Sequence, residues 1–212
     1  MPVEVKICGL STPETLDAAI AAGADFVGLV FFPKSPRNVS HSQAAKLAAR
    51  ARGKAKIVAL IVDADDQAIT EIDVAVSPDF YQAHGSETPD RIATIGALTG
   101  KPVIKAVKID KAADVIAAHA YDGKAAMVLF DAKAPETLLP GGNGMAFDWA
   151  LLGYRNAPVF MLSGGLNPEN VAQAIAMTGA PVVDVSSGVE SAPGKKDANL
   201  IRKFIEAAKA AR

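Results

Sequence analysis

Cysteine is almost absent from this chain of 212 residues: the single one, Cys8, cannot form an intramolecular disulfide. Aromatic residues are scarce at 6% and are not interleaved with basic runs, and 22 Lys and Arg against 23 Asp and Glu leave a net charge of −1. The electrostatic footprint of a nucleic-acid binder is therefore missing, and any anion has to be held by local groups. No apolar run approaches the ~20 residues needed to cross a bilayer. The three histidines, His41, His84 and His119, lack metal-ligand spacing, which predicts no metal site. The first residues pass straight into a charged strand-like segment without a basic-then-apolar leader. These absences predict a reduced, cytoplasmic protein with neither membrane nor nucleic acid as a partner. No linker or shift in composition divides the chain, so one domain over residues 1–212 is expected.

What is present is an alternation, in a chain half of whose residues are apolar. Runs rich in Val, Ile, Leu and Phe predict eight strands: Val3 to Cys8, Phe26 to Phe31, Lys56 to Val62, Phe80 to Gln82, Pro102 to Val107, Ala126 to Phe130, Pro158 to Leu162 and Val182 to Val185. Between and after them, Ala-rich segments predict helices at Pro13 to Ala22, Ser42 to Arg52, Asp65 to Val76, Pro89 to Leu98, Lys111 to His119, Phe147 to Leu152, Pro168 to Met177 and Asp197 to Ala210. Thr12-Pro13, Thr88-Pro89 and Asn167-Pro168 read as helix starts. Eight strand and helix units in this length predict an α/β fold, a single (β/α)8 TIM barrel near its minimum size; an open doubly wound sheet is the alternative.

Successive strand residues point to opposite faces. In the first strand Val3, Val5 and Ile7 then face the helices, while Glu4, Lys6 and Cys8 point into the barrel. The same parity puts Gln82, His84, Lys105, Asp131 and Asp184 inside. Lys6 and Asp184 fall on neighbouring strands once the barrel closes, and a buried charge needs such a partner. Cys8 and Asp131 each stand at the carboxyl end of a strand, where catalytic groups of this architecture collect. A thiol and a carboxyl facing one substrate suggest proton transfer. The late loops Pro140-Gly141-Gly142-Asn143-Gly144, Ser163-Gly164-Gly165 and Ser186-Ser187-Gly188 let backbone N–H groups approach an oxyanion closely. Two of them follow the seventh and eighth strands, the usual phosphate position in such barrels. A small phosphorylated molecule is the expected ligand.

Longer motifs frame these residues: Lys6-Ile7-Cys8-Gly9-Leu10, Phe32-Pro33-Lys34-Ser35-Pro36-Arg37, Gln82-Ala83-His84-Gly85, Leu129-Phe130-Asp131-Ala132-Lys133 and Gly141-Gly142-Asn143-Gly144 leading to Phe147-Asp148-Trp149. The series ends with Leu162-Ser163-Gly164-Gly165-Leu166-Asn167-Pro168-Glu169-Asn170, Val183-Asp184-Val185-Ser186-Ser187-Gly188-Val189-Glu190 and Pro193-Gly194-Lys195-Lys196-Asp197. In this order they resemble the phosphoribosylanthranilate isomerase family of tryptophan biosynthesis. Two departures stand out, Ala83 where the family has a larger aliphatic residue and Asn143 where Thr is common.

The resemblance implies an Amadori rearrangement of N-(5-phosphoribosyl)anthranilate to 1-(2-carboxyphenylamino)-1-deoxyribulose 5-phosphate, without a cofactor because the substrate's nitrogen relays the electrons. It implies Cys8 as the base, Asp131 as the acid and Arg37 as the partner of the anthranilate carboxylate. Gly142, Gly164, Gly165, Ser187 and Gly188 are the candidates for the phosphate, and Asp184 either orients the ribose hydroxyls or holds Lys6. A free thiol titrates near 8.5, so Cys8 needs positive charge or aligned N–H groups beside it to act as a base. The histidine-pathway aminoaldose isomerase and a silent phosphate-binding barrel are the competing readings. Monomer and homodimer both remain open.

Overall fold

The structure, a computed structural model, describes residues 2–132, 147–155 and 159–211. Eight parallel strands, β1 (Glu4–Cys8), β2 (Phe26–Phe31), β3 (Lys56–Ile61), β4 (Phe80–Ala83), β5 (Val103–Ile109), β6 (Met127–Ala132), β7 (Phe160–Leu162) and β8 (Val182–Val185), close into a barrel in chain order. β8 returns to β1 with Lys6 opposite Asp184. The helices are α1 (Pro13–Ala22), α2 (His41–Ala51), α3 (Asp66–Val76), α4 (Pro89–Thr99), α5 (Ala112–Ala117), α6 (Val171–Thr178) and α7 (Ala198–Ala210). A 3₁₀ segment, Trp149–Tyr154, stands where a helix over Phe147 to Leu152 is expected. Between β8 and α7 the chain adds a short antiparallel hairpin, β9 (Glu190–Ala192) with β10 (Lys195–Lys196).

Most helices begin where the sequence predicts. Thr12, Ser40, Asp65 and Thr88 each accept a hydrogen bond from the backbone N–H three residues on, a cap that stabilises a helix by about 1 kcal/mol. Asn167-Pro168 differs. Asn167 Oδ1 accepts from the N–H groups of Glu169 and Asn170, and Asn170 Oδ1 accepts from that of Asn167. These side chains satisfy the backbone donors outside a helix, so a turn forms and α6 starts only at Val171.

Strand parity organises the core. Val3, Val5 and Ile7 pack outward in the layer that also holds Leu16 of α1 and Phe204 of α7. Inside, Phe26, Val58, Ile104, Leu129, Met161 and Val182 form an apolar plug, and Cys8, Val30 and Leu60 form a smaller cluster beside Phe32 and Val62. Lys6 occupies the space left at Gly28, where a Cβ would lie 3.1 Å from Lys6 Nζ and 3.0 Å from Cys8 Sγ.

Lys105 departs from the expected placement. Its neighbours Ile104 and Ala106 belong to the barrel interior, so Lys105 points toward the helices. There it donates to the Gly85 carbonyl and to Glu87, both at 2.7 Å, beside the Tyr121 ring. β5 is apolar on both faces at this level, so alternation of polarity carries no signal, and the amine goes where a carboxylate meets it.

Lys6 and Asp184 form the expected ion pair at 2.9 Å, both buried. Ser163 Oγ donates to the second carboxylate oxygen of Asp184 at 3.2 Å. Burial works against the Lys6 charge, but Asp184 and then Cys8 outweigh it and hold the amine above its usual range. Removing one partner leaves an uncompensated buried charge. Lys6→Met is therefore expected to destabilise the fold by about 3–5 kcal/mol, read from urea unfolding, and adding Asp184→Asn is expected to recover part of that loss.

Candidate active site

A cleft opens at the carboxyl end of the barrel. Cys8, Gln82, His84, Asp131, Ser163, Asp184 and Ser186 line it together with Arg37 and Ser35 from the loop after β2. Val30, Phe32, Leu60 and Val62 supply an apolar wall. Cys8 and Asp131, predicted from opposite ends of the sequence pattern, thus face one space from β1 and β6.

Burial pushes the Cys8 thiol above its ordinary range, Lys6 pulls it back, and Asp184 pushes it up again. The positive neighbour that the chemistry calls for is present, with Asp184 opposing its effect on the thiol.

Asp131 is fixed at both oxygens. Oδ1 accepts from the N–H of Ala132 at 3.0 Å, and Oδ2 lies 3.1 Å from His84 Nε2. His84 Nδ1 in turn lies 2.9 Å from Gln82 Nε2. Parity marks Gln82 and His84 as inward, but only the closed barrel brings this line of groups onto Asp131.

Arg37 is held by a fork. Its Nε and Nη2 donate to the two carboxylate oxygens of Glu190 at 2.7 and 2.8 Å. Glu190 also accepts from the N–H of Gly194 at 3.1 Å and from Lys196 at 2.6 Å, and Lys196 donates further to the Ser186 carbonyl at 2.8 Å. Burial raises the Glu190 carboxyl, but Arg37 and Lys196 outweigh it and hold it below the usual carboxylate range. The β9–β10 hairpin, whose residues occur in the motifs but receive no role from the sequence, thereby anchors the arginine.

Glycines set the close approaches. Gly9, at φ +80°, lies under the Arg37 stem, where a Cβ would come 2.6 Å from Cδ. Gly164, at φ +86°, brings the β7 loop onto the end of β6, and a Cβ on Gly188 would lie 1.9 Å from the Leu166 carbonyl oxygen. Gly164 and Gly165 follow β7, and Ser187 and Gly188 follow β8, at the same end of the barrel as the cleft. Gly142 and its loop lie outside the described residues. Asp184, with one oxygen on Lys6 and the other on Ser163, holds the lysine.

The geometry defines a (β/α)8-barrel enzyme with a thiol and a carboxyl set in one small cleft and glycine loops at its β7 and β8 rim. No described helix is long and apolar enough to cross a membrane. The family model for N-(5'-phosphoribosyl)anthranilate isomerase matches residues 5–207, so the chain belongs to that isomerase family. It is 54% identical over 213 residues to the N-(5'-phosphoribosyl)anthranilate isomerase of Rhizobium meliloti strain 1021, covering 100% of this chain and 99% of that one. Among solved structures, the phosphoribosyl anthranilate isomerase of Thermotoga maritima superposes with a TM-score of 0.88 at 37% identity, covering 98% and 99% of the two chains. A second, solved in complex with reduced 1-(o-carboxyphenylamino)-1-deoxyribulose 5-phosphate, gives 0.85 at 34% identity with coverage of 98% and 99%.

Proposed function

We propose that this cleft converts N-(5-phosphoribosyl)anthranilate to 1-(2-carboxyphenylamino)-1-deoxyribulose 5-phosphate, a cytoplasmic step of tryptophan biosynthesis carried out by one catalytic domain over residues 1–212. The observation that carries the reading is that a thiol on β1 and a carboxyl on β6 line one cleft. Asp131 gives a proton to the furanose oxygen as its bond to C1 breaks, while the aniline nitrogen pushes in an electron pair to form a Schiff base. Cys8 takes the proton from C2, giving an enolamine that tautomerises to the ketone. The substrate nitrogen serves as the electron relay, so neither metal nor organic cofactor is invoked.

Binding follows from the walls. Val30, Phe32, Leu60 and Val62 offer an apolar face to the aromatic ring. Arg37, braced by Glu190, meets the anthranilate carboxylate by charge-assisted hydrogen bonds. The N–H groups of Gly164, Gly165, Ser187 and Gly188 take the phosphate, with Gly142 as a further candidate, and no net positive charge elsewhere is needed.

The reading is tested by turnover of freshly prepared phosphoribosylanthranilate, followed by loss of its fluorescence. Conversion is expected; none, alongside turnover of the histidine-pathway aminoaldose, overturns it. Gly9→Ala forces Arg37 off its seat and strains a left-handed backbone. The expected result is a KM raised roughly 10-fold, the value of one hydrogen bond to a charged group, with a smaller change in kcat.

A further inference from the structure

We infer that Gln82 is a positioning residue that fixes His84 in one tautomer and so seats the carboxyl of Asp131 for proton donation; this rests on the acid role proposed above for Asp131. The amide Nε2 of Gln82 lies 2.9 Å from His84 Nδ1, and His84 Nε2 lies 3.1 Å from Asp131 Oδ2. An amide NH₂ can only donate, so Nδ1 is an acceptor and the ring carries its one hydrogen on Nε2, aimed at Asp131. All three side chains are buried.

The orientation of the amide has a physical reason. Gln82 Oε1 is buried without a hydrogen-bond partner. Turning the amide over would put the NH₂ in that partnerless position, and buried N–H groups without acceptors are rarer than under-used carbonyl oxygens. Gln82 is thus better satisfied with its nitrogen on the imidazole.

The consequence is positional. An imidazole whose Nδ1 accepts from an amide gains a second hydrogen only by giving up that bond. As the neutral Nε2–H tautomer it donates to Oδ2 and orients the Asp131 carboxyl without placing a full charge beside it. The remaining charged or titratable groups lining the cleft are Cys8, Asp184 and Arg37, with Asp184 paired to Lys6 and Arg37 to Glu190. Among the described residues none of them makes a hydrogen bond to His84, whose ring nitrogens meet Gln82 on one side and Asp131 on the other.

Nitrogen NMR of the protein labelled with ¹⁵N-histidine tests this directly, with His84 assigned by its loss in His84→Gln. At neutral pH the Nδ1 signal is expected in the unprotonated range and Nε2 in the protonated range. A protonated Nδ1 overturns the inference. Gln82→Glu places an acceptor against Nδ1 and is expected to protonate it, lowering kcat on the order of 10²-fold, the lower end of what a general acid contributes, with KM changed less than 3-fold. Gln82→Leu, which removes the donor without supplying an acceptor, is expected to give a smaller kcat loss. Unchanged kcat in Gln82→Glu, with Nδ1 protonated, overturns the link to Asp131. Full activity in Asp131→Asn defeats the acid assignment instead and leaves the tautomer result standing, so the two failures are distinct.

Discussion

Replacing Asp131 by Asn is expected to lower kcat on the order of 10²- to 10⁴-fold, the range a positioned general acid supplies. The substitution is close to isosteric. The amide oxygen can still accept from the Ala132 N–H or from His84 Nε2, the two contacts that hold the carboxyl now. Folding is therefore expected to survive, with a melting temperature close to that of the wild type. What is lost is the transferable proton, and with it ring opening. Affinity for the reduced product analogue, measured by calorimetry, is expected to stay within a few-fold. A variant that keeps most of its turnover refutes Asp131 as the acid, whereas one that neither folds nor binds reports a structural role.

Cys8→Ser is expected to cost a similar factor for a different step, because a serine hydroxyl is a far weaker base than a thiolate. The thiol also predicts the pH dependence. Burial raises Cys8 above the ordinary thiol range, with Lys6 opposing and Asp184 adding to the rise. The base must be deprotonated while Asp131 keeps its proton, so kcat/KM of the wild type is expected to follow a bell in pH, with one limb set by the Cys8 thiol. In Cys8→Ser that limb is expected to vanish. A wild-type profile without a limb in or above the thiol range would contradict this assignment. For stability, a thiol whose folded pKa is raised favours the fold below the unfolded value, and that contribution fades as pH rises through the folded one.

Glu190 behaves the other way. Its folded carboxyl sits below the usual range despite burial, because Arg37 and Lys196 hold it. It therefore stabilises the fold above the unfolded carboxylate pKa, and that contribution is lost as pH falls through the depressed folded value. Since the same carboxylate braces Arg37, acid is expected to weaken ligand binding before it unfolds the barrel.

The sequence by itself determined the alternation of strands and helices, two of the helix starts and the facing of most polar residues. Eight apolar runs separated by Ala-rich helical segments leave few ways to bury both faces of each strand, and the barrel is one of them. Thr12 and Thr88 act within one turn of their own positions, so a local pattern suffices to find them. Strand parity is equally local, and it pointed Cys8, Gln82, His84, Asp131 and Asp184 inward and paired Lys6 with Asp184.

Other features were decided only by tertiary structure, because they join residues that no local period relates. Arg37 meets Glu190 across 153 positions, and the fork exists only once the loop after β2 and the late hairpin lie side by side. Lys105 lies on a strand apolar on both sides, where parity has no polar signal to read, and Glu87 and the Gly85 carbonyl drew it outward. Asn167-Pro168 carries a helix-start signal that the side chains of Asn167 and Asn170 override with a turn. The protonic settings of the cleft are likewise three-dimensional. The Cys8 thiol is raised because the barrel buries it and seats Asp184 behind Lys6, and His84 has its orientation because β4 and β6 bring Gln82 and Asp131 to its two nitrogens. Periodicity tells which face a side chain takes; the stagger and closure of the barrel determine which partner it meets there, and hydrogen bonds and charge then set its chemistry.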